Sequence, residues 1–250
     1  MKFLQFLKTF VNKLEDSVLT NHGCLACRRE ILDGTKFSMC RNCLENIERI
    51  TGNLCEKCGD IVNNENKFCD RCKNTGFSFS SSRSFAYYTD SSAEIIKRFK
   101  YSGKKYYGKY IAEFMFKNKK YFEGVDYLTF VPIGKKRKRE RGFNQAEEMA
   151  NELSKLSGIP VLKTLQKVGS EKHQAGLSQK QRQENLSGSF KLNDDIVDKI
   201  KGKVLMIVDD VFTTGATLSE CAKVLSKNSK PKKIVCYTFA KTKFDSIKNG

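Results

Sequence analysis

The sequence has 250 residues, a formal net charge of +18, 30% charged and 39% hydrophobic residues, and ten cysteines. That length suits one medium domain plus a small module, and no apolar stretch is long enough to span a bilayer. The positive excess is concentrated from residue 76 onward, where 34 Lys and Arg face 18 Asp and Glu. This balance fits a Lys-rich proteome as well as anionic partners such as diphosphates or nucleic acid.

Met1–Leu14 does not read as a secretory signal, because Gln5, Lys8 and Lys13 interrupt it and no small-residue cleavage site follows. Phe3, Leu4, Leu7, Phe10, Val11 and Leu14 recur at helical spacing. Residues 1–21 are therefore expected to form an amphipathic helix, docked on the protein itself or on a membrane surface, and the protein is expected in the cytoplasm. Residues 22–75 form the small module. It holds four CxxC pairs: Cys24/Cys27, Cys40/Cys43, Cys55/Cys58 and Cys69/Cys72. Two such turns place four thiolates around one metal, so the module reads as a repeat of two zinc ribbons with two structural Zn²⁺ sites. Disulfides are the alternative, disfavoured in a reducing compartment, and a crossed pairing of the four knuckles stays open.

The Ser- and Gly-rich residues 76–84 read as a linker, ahead of an α/β domain over 85–250. There Phe85–Thr89 reads as a strand, Ser92–Lys100 and Tyr107–Lys117 as helices, and Lys100–Lys104 as the turn between them. Val125–Ile133 is a further strand. Six cations in seven residues follow it, Lys135 to Arg141. At a strand end this run suits a diphosphate; as a solvated loop it suits nucleic acid. Asn144–Leu156 is a helix stopped by Gly158 and Pro160. Polar Val168–Phe190 reads as a flap over a cleft or as an ordinary surface loop.

The chain is organised around Lys203–Leu218. Val204–Val208 is a continuous apolar run, an inner strand of a parallel sheet. Asp209 and Asp210 are expected to end it, where open α/β sheets place ligands. Thr213-Thr214-Gly215-Ala216-Thr217 then forms a small-residue loop at the N-terminus of a helix over Ala216–Lys227, which is a phosphate cradle. Lys233–Ala240 is a last strand, and Cys221 and Cys236 read as core thiols.

Val208 to Thr217 (VDDVFTTGAT) resembles the ribose-phosphate motif of the type I phosphoribosyltransferases, which bind phosphoribosyl diphosphate (PRPP). With the CxxC repeat, Arg139-Glu140-Arg141-Gly142-Phe143-Asn144-Gln145-Ala146 and the Gly176-Leu177-Ser178…Arg182…Asn185 flap, the chain resembles the ComF competence family, a double zinc ribbon joined to a phosphoribosyltransferase-like domain. The resemblance implies PRPP and Mg²⁺ binding and a part in DNA uptake or natural transformation. Asp209 and Asp210 would hold ribose hydroxyls and set the metal geometry. Thr213, Thr214, Gly215, Ala216 and Thr217 would hold the 5-phosphate. Arg137 and Arg139 would pair with the diphosphate, with Arg141 a weaker candidate. Two functions follow as expectations: a pentosyl transferase with an unidentified acceptor, or a non-catalytic PRPP-responsive factor that binds single-stranded DNA or competence-machinery proteins.

Overall fold

The computed structural model describes residues 23–31, 38–63, 65–74, 76–168 and 188–243. The expected N-terminal helix over 1–21 lies outside them, as does most of the expected flap. In chain order the elements are α1 (Arg41–Glu45), α2 (Asp70–Asn74), β1 (Ser81–Tyr87), α3 (Asp90–Tyr101), α4 (Tyr107–Phe116), β2 (Tyr127–Phe130), α5 (Lys135–Arg141) and α6 (Gln145–Ser157). There follow β3 (Leu165–Lys167), β4 (Phe190–Leu192), α7 (Val197–Ile200), β5 (Val204–Phe212), α8 (Ala216–Ser229) and β6 (Lys233–Lys241).

Four strands make one parallel sheet in the order β1-β6-β5-β2. Its inner strands bury both faces, as their continuous apolar runs require. On one face Met206, Val208, Tyr237 and Phe239 pack with Ile95, Phe99, Ile111 and Met149 of α3, α4 and α6. On the other, Leu205, Ile207 and Cys236 pack with Leu218, Cys221, Ala222 and Leu225 of α8. This is the α/β class read from the sequence. β3 and β4 form a separate antiparallel pair. They bracket the polar segment between them, and the Val168 amide donates to the Ser189 carbonyl at 2.9 Å.

Residues 76–84 are not a linker. Phe77 and Phe79 are buried in the core, and Ser81–Ser84 already belong to β1, paired with β6. Ser84 is accommodated there by a cross-strand partner, its buried hydroxyl lying 2.6 Å from that of Thr238, whereas the equally buried Ser82 hydroxyl has no hydrogen-bond partner among the described residues. The module is also not a free appendage. Its Glu48–Lys57 segment covers the outer edge of β1, through Tyr87 N–H to Glu48 (2.8 Å), Ile50 N–H to Phe85 (3.2 Å) and Ser82 N–H to Lys57 (2.7 Å). An edge strand left open is a template for aggregation, and here the ribbons close it.

Candidate functional site

Each half of the module gathers four sulfurs. Cys24, Cys27, Cys40 and Cys43 form one group and Cys55, Cys58, Cys69 and Cys72 the other, each with all its sulfurs within 4.8 Å of one another. The knuckles therefore pair in sequence order and do not cross. Sulfurs 2.3 Å from a tetrahedral Zn²⁺ stand about 3.8 Å apart. The Cys27–Cys40 and Cys58–Cys69 separations are 3.8 and 3.6 Å, and all ten cysteines are free thiols. The residues fit structural zinc.

The repeat extends to the backbone. The Cys24 amide donates to the Arg29 carbonyl at 2.8 Å, and the Arg28 amide to Cys24 at 2.9 Å. In the second ribbon Cys55 donates to Asp60 at 2.7 Å, and Gly59 to Cys55 at 3.0 Å. Both turns need a left-handed residue after the second cysteine, supplied by Gly59 (φ +72°) in one and Arg28 (φ +69°) in the other.

At the carboxyl end of the sheet, β5 does not stop at the acids but runs through them to Phe212. Its pairing with β6 continues through Asp209 opposite Thr238 and Val211 opposite Ala240, so alternation sends the two carboxylates to opposite faces. Asp210 faces α3 and makes an ion pair with Lys100 at 2.9 Å. Asp209 lies on the α8 side, where its charge acts on Cys221 and Cys236. Enclosure, then the adjacent Asp210 charge, pushes the Asp209 carboxyl up to about 7. The Asp210 amide, which donates to Asp209 Oδ1 at 2.9 Å, and the charges of Lys100 and Arg141 act against that rise.

The loop after β5 has the expected form. Gly215, at φ +76°, is the N-cap of α8, and the Ser219 amide closes the first turn onto its carbonyl at 2.9 Å. Glycine is demanded at this position twice over. A Cβ here would meet Phe212 Cζ at 2.5 Å and Phe77 Cε1 at 2.9 Å. Gly215 is required by the aromatic wall behind the loop as well as by its φ.

The basic run is a short helix, α5, not a loop, and Arg137 and Arg139 lie on its exposed surface. The half-buried Arg141 turns inward: it donates to Gln145 Oε1 at 3.1 Å, stacks over Tyr101 at 5.6 Å and bears on Asp209. Of the motif after it, Phe143, Asn144 and Gln145 serve packing. Asn144 caps α6 through the Ala146 amide (3.1 Å) and ties it to the Val131 carbonyl (3.0 Å). Sequence reasoning passed over Lys100, assigned to a turn, and Arg71 and Lys241, which have no local signal.

Residues 15–73 match the double zinc ribbon domain, and residues 139–246 match the phosphoribosyl transferase domain. The chain is similar to competence protein F of Haemophilus influenzae, at 28% identity over 83% of this chain and 92% of that protein. It is similar to competence protein ComFC of Bacillus subtilis at 26% identity, over 82% and 84%. It is also similar to the DNA utilization protein YhgH of Escherichia coli K12 at 25% identity, over 82% and 91%.

Proposed function

The chain, a double zinc ribbon joined to a phosphoribosyl transferase domain, belongs to the ComF family of competence proteins, and from that premise we propose that it binds PRPP with Mg²⁺ in the cytoplasm and serves DNA uptake. The observation that carries this reading is the acid pair at the carboxyl end of β5 followed by a left-handed Gly215 at the start of α8. Amides converging at a helix N-terminus suit a 5-phosphate, held by Thr213, Thr214, Gly215, Ala216 and Thr217.

The acids fit a divalent cation in a particular way. Facing opposite sides, they do not grip one ion together, but Mg²⁺ is commonly held by one carboxylate and the ligand's own phosphates. The other carboxylate is then left for ribose hydroxyls. Lys100 and Arg141 flank the acids and suit the diphosphate, with Arg137 and Arg139 as outer contacts on α5. If transfer occurs, an acceptor attacks the anomeric carbon, diphosphate leaves, and the transition state is oxocarbenium-like. Calorimetry of PRPP with Mg²⁺ tests the reading. Asp209→Asn with Asp210→Asn should weaken binding by up to about 3 kcal/mol, and a wild-type protein that does not bind overturns it. PRPP consumption assayed across nucleobases, amines and oligonucleotides decides between transfer and binding alone.

Asp209 adds a pH signature. Its folded-state pKa is raised from 3.8 to about 7, so between these values the native state holds a proton that the unfolded chain has released. Stability therefore falls as pH rises through that window. Asp209→Asn should raise Tm at pH 8 and leave it nearly unchanged at pH 4; equal effects at both pH values count against an enclosed, proton-binding Asp209.

A second reading, direct binding of single-stranded DNA, is favoured by two adjoining cavities of about 530 and 680 Å³ at the opposite end of the sheet. Lys57, Lys73, Arg83, Lys120, Lys232 and Lys233 line them, beside the exposed Phe68 and the half-buried Tyr121. Cations interleaved with aromatics suit a single strand. Neutralising Lys120, Lys232 and Lys233 should then flatten the salt dependence of oligonucleotide binding more than neutralising Lys135, Lys136 and Lys138 on α5; the reverse ranking moves the DNA to α5.

A further inference from the structure

The second ribbon touches the phosphate loop directly. Arg71 sits between Cys69 and Cys72, and its Nη2 donates to the Thr214 carbonyl. Its guanidinium lies 5.3 Å over Phe77 and 5.9 Å over Phe212, with Nε and Nη1 also shut off from solvent. Phe77 and Phe212 are the rings that leave no room for a Cβ at Gly215. Lys241, fully buried, donates to the Cys58 carbonyl at 3.2 Å, pairs with Asp60 at 3.1 Å and lies 4.4 Å over Phe212. One step along, the Ser78 amide donates to the Ser219 hydroxyl at 3.0 Å in the first turn of α8.

The geometry of one peptide unit turns these contacts into a consequence. In a trans peptide the carbonyl of one residue and the amide of the next point in opposite directions. Arg71 draws the Thr214 carbonyl toward the ribbon, so the Gly215 N–H is directed away from it, toward the side where the loop offers its amides to an anion. Among the described residues the first ribbon has no such contact. The residue matching Arg71 is Asn42, whose side chain takes a bond from Asn46 at 3.4 Å on the exposed surface.

We propose that the second zinc ribbon is the positioning element of the phosphate loop, with Arg71 as its positioning residue, so that an intact Cys55/Cys58/Cys69/Cys72 site sets the affinity for a 5-phosphate. This rests on the PRPP reading above and adds an input to it. Loss or oxidation of the second site frees Arg71, and with it the Thr214–Gly215 peptide. Among the described residues the first site has no such line to the loop.

The test uses the full-length protein and Arg71→Met, which keeps the apolar stem and removes the donor and charge. Zinc content, amide exchange across 213–219, and calorimetry with ribose 5-phosphate and with inorganic diphosphate are measured. The proposal expects two zinc ions retained, faster exchange in the loop, and ribose 5-phosphate bound at least about tenfold more weakly, the usual scale for a lost charged hydrogen bond, with diphosphate affinity unchanged. General destabilisation would weaken both ligands. Unchanged loop exchange in a zinc-replete variant overturns the proposal, and so does an equal loss for both ligands. If Arg71→Met loses zinc, Arg71→Lys is judged by the same readouts. If wild type binds neither ribose 5-phosphate nor PRPP, the PRPP reading falls, and exchange at 213–219 alone decides whether the ribbon positions the loop.

Discussion

The two ribbons share one metal-binding turn and differ in what they rest on. The first leans on the helical face: Arg98 Nε donates to the Ala26 carbonyl at 2.8 Å and the Tyr107 hydroxyl to Leu25 at 3.2 Å. Its Cys24, Leu25 and Met39 join the core built on α3, α4 and α6. The second lies across the sheet, where Cys55 and Cys58 share a core with Phe77, Phe212 and Leu218. Duplicating a ribbon duplicates the sulfurs and the turn, but not the contacts outside it. Those depend on residues free to vary between the ligands, Arg71 in one copy and Asn42 in the other. The first ribbon is thereby an anchor, and the second is a neighbour of the site.

The largest expected effect comes from the metals. The purified protein should carry two zinc ions, and chelation should release both. Because Cys24 and Cys55 are completely buried in cores shared with the sheet, chelation should loosen the adjoining strands and helices rather than the module alone. Site-specific loss separates the copies: Cys43→Ser should speed exchange in α3 and α4, and Cys72→Ser in 213–219. Identical exchange maps from the two variants would erase the contrast. Next in size is Gly215→Val. A Cβ 2.5 Å from a phenyl carbon, at φ +76°, should cost roughly 3 kcal/mol or more in urea unfolding. Gly103→Val, with similar φ +69° and nothing within 4 Å, should cost about 1 kcal/mol. If the two cost the same, the aromatic wall behind the loop is not rigid.

What the sequence made legible was local. CxxC spacing carries its own geometry, and VDDVFTTGAT is contiguous because strand, turn and helix N-terminus are consecutive in the chain. Contacts between residues far apart left no trace. Arg71 reaches Thr214 across 143 positions, and Lys241 reaches Cys58 across 183. Lys241 falls just past the expected last strand, Lys233–Ala240, yet it extends β6, and the Asp60 carboxylate and a knuckle carbonyl allow it full burial. Phe77 and Phe79 were hidden among serines and glycines because composition, not pairing, marked that stretch. Reading the acids as a strand end missed that hydrogen bonding to β6 carries β5 past them.

Lys241→Met should cost about 2–3 kcal/mol, because it removes the partner of Asp60 while keeping the apolar bulk over Phe212. It should also speed exchange at the second knuckle and leave the first untouched. Loss confined to the first ribbon would contradict the assignment of Lys241 to the second.

The finest test compares the turns themselves. Gly59 and Arg28 hold matching positions at nearly the same φ, +72° and +69°. A Cβ at Gly59 would lie 2.7 Å from the Ser82 carbonyl oxygen, because the second knuckle presses on β1. Arg28 has room for its side chain, which reaches the Tyr106 hydroxyl at 3.4 Å and lies 5.9 Å over Tyr107. Gly59→Ala should therefore cost roughly 2 kcal/mol, about half from φ and half from the clash. Arg28→Gly gains about 1 kcal/mol from relief of the left-handed backbone, loses a comparable amount with the tyrosine contacts, and should shift the urea midpoint little. Two turns alike in backbone then differ in tolerance because one abuts a strand and the other meets aromatic side chains. A Gly59→Ala protein as stable as wild type would mean that the second ribbon is held less tightly against β1 than its hydrogen bonds indicate.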